Sequence, residues 1–158
     1  MKKKLIFAIG GAVSAIIVGA AIFYGTGKND DVAQIRLQSD DLQLVAMGKK
    51  VYDANCASCH GRDFKGEANW RKRGKDGLMP APPHDETGHT WHHPDGLLFA
   101  LTKYGPAKVI GDGYQSSMPG FEGVLTDDEI IGALSYIKSR WPGEIRMRHD
   151  QMNQSAMQ

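Results

Sequence analysis

The segment Asn55–Gly61, NCASCHG, contains the only two cysteines of the chain, with a histidine directly after the second. Nothing else in the sequence restricts the fold as strongly, because Cys56, Cys59 and His60 are packed so closely that they must serve one chemistry together. Four chemistries use such a cluster: a disulfide, a thiol redox centre, a zinc site and a covalent haem attachment. A Cys56–Cys59 disulfide would close a tiny loop and remove little entropy from the unfolded chain. A redox C-x-x-C expects a βαβ setting, whereas this motif ends a helical pattern and no strand pattern follows. A structural zinc site wants four ligands, and His60 directly beside Cys59 is not a usual spacing for one.

The flanking sequence narrows the choice. Residues 5–24, LIFAIGGAVSAIIVGAAIFY, run for twenty residues without a charge. As a helix this stretch spans roughly 30 Å, the thickness of a hydrocarbon core. Lys2, Lys3 and Lys4 precede it and favour retention on the cytoplasmic side, sending the rest across. Two readings stand: an uncleaved transmembrane anchor, favoured by the length, and a signal peptide cut after Ala21. Both deliver the remainder to a non-cytoplasmic compartment. In bacterial terms the expectation is an inner-membrane anchor with the domain facing the periplasm, the alternative being a free periplasmic protein. Net charge is +1; taking those three lysines from the 19 basic residues leaves 16 against 18 acidic ones. The basic excess therefore belongs to the N-terminus, and nothing in the charge points to nucleic acid.

The organisation expected is a membrane or signal segment at 1–25, a linker at 26–39, a folded domain at 40–142 and a polar, peripheral tail at 143–158. The domain starts with SDDLQLVAMGKKVYDANC, where Ser39 or Asp40 can cap a helix bearing Leu44, Met47, Val51 and Tyr52. Gly48 lies on the same side and lets another helix cross closely. The middle, 61–123, is crowded with Gly and Pro. Only Pro94–Tyr104 reads as helix there, with Leu97, Leu98 and Leu101 as its apolar side. The third helix follows Thr126, whose partner Glu129 completes a capping box. Its buried stripe is Ile130, Ala133, Leu134, Ile137 and Trp141, and Pro142 ends it. The fold class is thus all-α, three main helices and long loops. So thin an apolar supply over about 100 residues calls for a bound group to complete the core.

A haem fits that need. C-x-x-C-H is the attachment signal of c-type haem: the two thiols add to the vinyl groups along one porphyrin edge, and the next residue offers its imidazole to iron. A sixth ligand of thioether type raises the reduction potential. Met118, in the loop SSMPGFEG, is the candidate, with Met79 in MPAPP as its rival. His84, His89, His92 and His93 crowd into ten residues. They read as a polar loop with Trp91 packed inward, or as a second metal site for copper or zinc.

These residues together resemble the class I cytochromes c. The resemblance covers 40–142 and rests on Gly48 and Tyr52, the motif at 56–60, MPGF at 118–121 and LSYIKSRWP in the last helix. It implies a cytochrome c fold around one covalent haem c and its iron, held by Cys56 and Cys59, with His60 as proximal and Met118 as distal ligand. It implies that Gly48, Tyr52 and Tyr136 mediate the crossing of the first and last helices. A proline carbonyl, from Pro80, Pro82 or Pro83, would accept the proximal imidazole N–H. Arg71 and Arg73 are candidate partners of the haem propionates. The sequence departs from the pattern in its long loop at 62–96. The function expected is a mono-haem electron carrier, not an enzyme, moving single electrons between a membrane respiratory donor and acceptor, with lipid contact through residues 5–24. The alternative is a haem- or copper-binding accessory or sensor module of a respiratory oxidase.

Overall fold

The computed structural model describes residues 35–155. The expected membrane segment at 5–24 lies outside them, and among the described residues no helix is long and apolar enough to cross a bilayer. Among the described residues six helices follow in order: α1 (Leu42–Asn55), α2 (Ala57–His60), α3 (Asp95–Tyr104), α4 (Pro106–Ile110), α5 (Asp127–Ser139) and α6 (Gly143–Ser155), with a 3-10 turn, Thr90–His92, before α3. Among the described residues there is no strand, only an isolated bridge between Glu122 and Leu125.

The first helix begins later than the pattern suggested. Its cap is Asp41, not Ser39 or Asp40; the carboxylate accepts from the N–H of Gln43 at 2.9 Å and of Leu44 at 3.0 Å. The reason is tertiary. Leu37 is buried in the core, its N–H donates to Asp95 Oδ2, and the N–H of Gln38 donates to Ser135 Oγ. With residues 37–38 tied down, the chain must turn before a helix can start. The α5 terminus matches expectation: Thr126 and Glu129 bond reciprocally, and Ile130, Ala133, Leu134, Ile137 and Trp141 are buried.

Helices α1 and α5 cross in backbone contact. A Cβ at Gly48 would lie 1.9 Å from the carbonyl oxygen of Gly132, and one at Gly132 would lie 2.7 Å from Met47 Cε. Beside this crossing Tyr52 meets Tyr136 edge-on, with ring centroids 5.6 Å apart. Phe64, Leu98, Phe99, Phe121, Ile130, Leu134, Ile137 and Trp141 continue the same core.

Helix α3 buries a different face from the one expected. Leu98 is buried, but its companions are Asp95, Phe99 and Thr102; Leu97 and Leu101 are only half-buried. Positions 95, 98, 99 and 102 share one helical face, and the buried Asp95 fixes that face inward. Its backbone N–H donates to Asn153 Oδ1 at 2.8 Å.

That bond involves the segment expected to be a peripheral tail. Helix α6 packs onto the domain through His149 and Asn153, which are 0% and 5% exposed. His149 Nε2 donates to the His93 carbonyl at 2.9 Å, and its ring stands edge-on to Trp141 at 5.0 Å. Lys138 of α5, also buried, pairs with Asp150 at 2.6 Å. The docking is polar, so no apolar stripe announced it.

Burial, reinforced by the Lys138 charge, pushes the His149 pKa below its ordinary value, against the opposing pull of Asp95. The folded state therefore takes up the proton less readily than the unfolded chain. This contribution to stability is present above the unfolded histidine pKa, about 6.5, and is lost as pH falls from there through the lower folded value. Urea midpoints measured from pH 7.5 down to 5 should fall more steeply for the wild type than for His149→Gln. Equal slopes would contradict the assignment.

Candidate functional site

The site is built where α1 ends. Asn55 closes the helix, and Cys56 stands between α1 and α2 with its N–H donated to Tyr52 O at 2.9 Å. The N–H groups of Cys59 and His60 both return to Cys56 O, at 3.2 and 3.0 Å. One tight turn thus sets the two cysteines three positions apart on the same side of the backbone. Both thiols are free, Cys56 half-buried and Cys59 exposed. Burial, with Cys59 beside it, pushes the Cys56 thiol up to about 11. A thiol redox centre needs its pKa moved the other way.

His60 is 6% exposed. Its Nδ1–H donates to the Pro82 carbonyl at 2.8 Å, so of the three prolines that qualify by sequence it is Pro82 that pairs with the imidazole. The approach of Pro82 is prepared by a strapped loop. Gly61 and Gly66 have φ of 79° and 66°. The Tyr52 hydroxyl donates to Gly61 O at 2.7 Å. Gly66 N–H donates to His60 O, and Glu67 N–H to Ala81 O, both at 2.9 Å. The Glu67 carboxylate accepts from Ala81 N–H at 2.6 Å. A Cβ on Gly66 would fall 2.5 Å from Ala81 O and 2.6 Å from the Pro82 carbonyl carbon, so the two arms of the loop close only over a glycine. Burial pushes the His60 pKa down, with the Pro82 bond opposing. The ring is neutral at neutral pH, and with its proton on Nδ1 the Nε2 lone pair is available to a metal.

Met118 comes from a separate loop between α4 and α5. It is half-buried, its N–H donates to Ser116 Oγ at 3.1 Å, and its sulfur makes no hydrogen bond among the described residues. The stretch just after it is fixed: Phe121 N–H donates to Thr102 O at 3.1 Å and Glu122 N–H to Lys103 O at 2.8 Å. Gly120 lies so close to the end of α3 that a Cβ would meet Tyr104 backbone at 2.7 Å. Cys56, Cys59, His60 and Pro82 are therefore assembled in one place, whereas no hydrogen bond joins Met118 to them. Its rival Met79 is likewise half-buried.

The long loop uses its charged and aromatic residues on itself. Arg71 lies over the Trp70 ring at 4.0 Å and reaches Thr87 O at 3.4 Å, while Arg73 donates to Gly77 O at 2.8 Å. His89 stacks on Trp70 at 5.4 Å and His92 on Trp91 at 3.6 Å. His84 lies against the His60 ring. Among the described residues no three His, Cys, Asp or Glu side chains converge as a metal cage.

Two free thiols one turn apart, followed by a buried neutral imidazole whose second nitrogen is available, form the donor set that a covalently bound haem requires. The residues fit that group. The comparisons agree: the family profile described as Cytochrome c matches residues 45–141. A cytochrome bc1 complex cytochrome c subunit from Corynebacterium efficiens is 33% identical over 66 residues, covering 41% of this chain and 22% of that protein. A Cbb3-type cytochrome c oxidase subunit CcoP from Azospirillum sp. is 30% identical over 115 residues, covering 73% of this chain and 35% of that protein. The chain thus spans about a fifth to a third of the length of these curated relatives. No solved structure matches it.

Proposed function

This chain belongs to the cytochrome c family, whose members are electron carriers with covalently attached haem c, and from that premise we propose that it carries single electrons between membrane respiratory proteins outside the cytoplasm. The helical architecture, with no strand among the described residues, fits a cytochrome c fold, and Cys56, Cys59 and His60 fit the family's attachment motif. Cys56 and Cys59 would hold one haem through two thioethers, and His60, through Nε2, and Met118 would be its iron ligands. Residues 5–24 hold the carrier at the membrane, with the haem domain on the periplasmic side. The donor and acceptor are respiratory complexes of the kind that the two relatives' names describe, a bc1 complex and a cbb3-type oxidase.

The observation that carries this reading is the 2.8 Å bond from His60 Nδ1–H to Pro82 O. When bound, haem iron supplies the one-electron couple. The chain supplies the conditions for fast transfer. The Pro82 carbonyl fixes the imidazole tautomer and raises the basicity of Nε2. The close α1–α5 crossing and the strapped loop make the ligand cage stiff, so that little needs to move when the charge changes. A carrier needs both iron faces occupied, and a peroxidase-type enzyme needs one open, so the two functions separate at Met118.

Met118→Ala provides the test. The variant should bind carbon monoxide in the reduced state, which the wild type should not, and should lose the weak far-red band of sulfur-to-iron charge transfer. Its reduction potential should fall with the loss of the thioether. A variant that keeps the band would transfer the ligand role to another residue, with Met79 the first to examine.

A further inference from the structure

His84 follows the Pro82–Pro83 pair in the chain. Its ring lies face to face with that of His60, centroids 3.9 Å apart and planes 19° from parallel. It is held there from several directions. Its N–H donates to Phe64 O at 2.8 Å. Its carbonyl accepts from Trp141 Nε1 at 2.7 Å. Its Nδ1 bonds Thr90 Oγ1 at 2.8 Å, and Thr90 is itself buried. Its ring edge meets Tyr52 at 6.3 Å. The anchors come from the proximal loop, the 3-10 turn, α1 and the end of α5, so the ring cannot slide without disturbing four parts of the fold.

We propose that His84 is a positioning residue for the axial imidazole: its stack fixes the plane of the His60 ring, as the Pro82 carbonyl fixes its Nδ1. The argument rests on the assignment of His60 as iron ligand. A ring held at a single atom can still swing about that contact. A second restraint applied to its face removes the swing, and with it the spread of ring orientations about the iron–nitrogen bond. It also keeps Nδ1–H aligned with Pro82 O. That hydrogen bond makes the imidazole a stronger donor and so favours ferric iron. A flat face is what the position requires, and a branched aliphatic side chain of similar bulk does not provide it.

The test uses the full matured protein with three variants, His84→Leu, His84→Phe and Thr90→Val. Electron paramagnetic resonance of the ferric state reads ring orientation, redox titration reads the potential, and thermal melting reads stability separately. His84→Leu should shift or broaden the low-spin g-values. It should also raise the potential, changing the ferrous-to-ferric ratio by up to about tenfold, ~59 mV for one electron. His84→Phe should restore g-values close to wild type, because the stacked face is retained. A purely structural role would lower the melting temperature of His84→Leu and leave g-values and potential unmoved; that result overturns the proposal, as does a Phe variant that behaves like Leu. If the Leu variant does not fold, Thr90→Val decides: broadened g-values are expected from a ring freed at its edge, and unchanged ones overturn the proposal. A wild-type spectrum that survives His60→Ala would overturn the ligand assignment and this inference with it. A His60-dependent spectrum that ignores His84→Leu overturns this inference alone.

Discussion

Gly48→Ala is expected to destabilise the domain by more than about 3 kcal/mol, enough to leave a small domain of ordinary stability largely unfolded near its usual midpoint. Two effects oppose each other. Alanine favours a helix interior over glycine by roughly 1 kcal/mol. The added Cβ, however, would lie 1.9 Å from Gly132 O and 2.2 Å from Gly132 C. Both atoms are backbone of α5 and cannot turn aside as a side chain would. The helices must separate, and Tyr52, Ile130 and Leu134 then lose close packing together. Gly143→Ala is the control, since a Cβ there meets nothing within 4 Å; it should be neutral or slightly stabilising. Urea denaturation of both variants checks the pair. A Gly48→Ala protein with a wild-type midpoint would mean that α1 and α5 do not cross as described.

Replacing Cys56 and Cys59 together by alanine is expected to abolish retained haem. The chain's own contacts change little, because Cys59 is exposed and the half-buried Cys56 makes no side-chain hydrogen bond among the described residues. The loss should therefore report attachment and not gross misfolding of the polypeptide. After export with the maturation machinery and denaturing electrophoresis, the wild type should keep its haem-dependent peroxidase stain and the double variant should show none. Each single variant should retain a weaker signal through its remaining thioether. Haem that survives denaturation in the double variant would contradict the attachment assignment.

The parts of this fold that were readable in the sequence obey short-range codes. Thr126 and Glu129 announce the start of α5 because a capping box needs only three residues of spacing. Gly48 announces a close crossing because few other reasons place a glycine on the buried face of a helix. The attachment motif is legible because its chemistry confines all its groups to five positions. The parts that were missed depend on distant partners. Asp41 caps α1 because Leu37 and Gln38 are held by Asp95 and Ser135, nearly sixty and one hundred residues away. The buried face of α3 is set by Asp95, a carboxylate that periodicity alone assigns to solvent. Helix α6 docks through His149 and Asn153, so a reading based on apolar stripes finds only a polar tail. Pro82 could not be told from Pro80 or Pro83, because the choice depends on how Gly61, Gly66 and the Glu67–Ala81 contacts fold the loop back. The position of His84 has the same origin: the sequence shows four histidines in one loop, and only the path of the chain sends one of them to His60.

The most direct measurement is the intact mass of the protein produced together with haem-maturation machinery, taken after denaturation alongside the reduced alkaline pyridine spectrum. Covalent attachment at Cys56 and Cys59 predicts a mass one haem above that of the polypeptide and a spectrum of haem with both vinyl groups saturated. A polypeptide of bare mass, colourless after extraction, would contradict it.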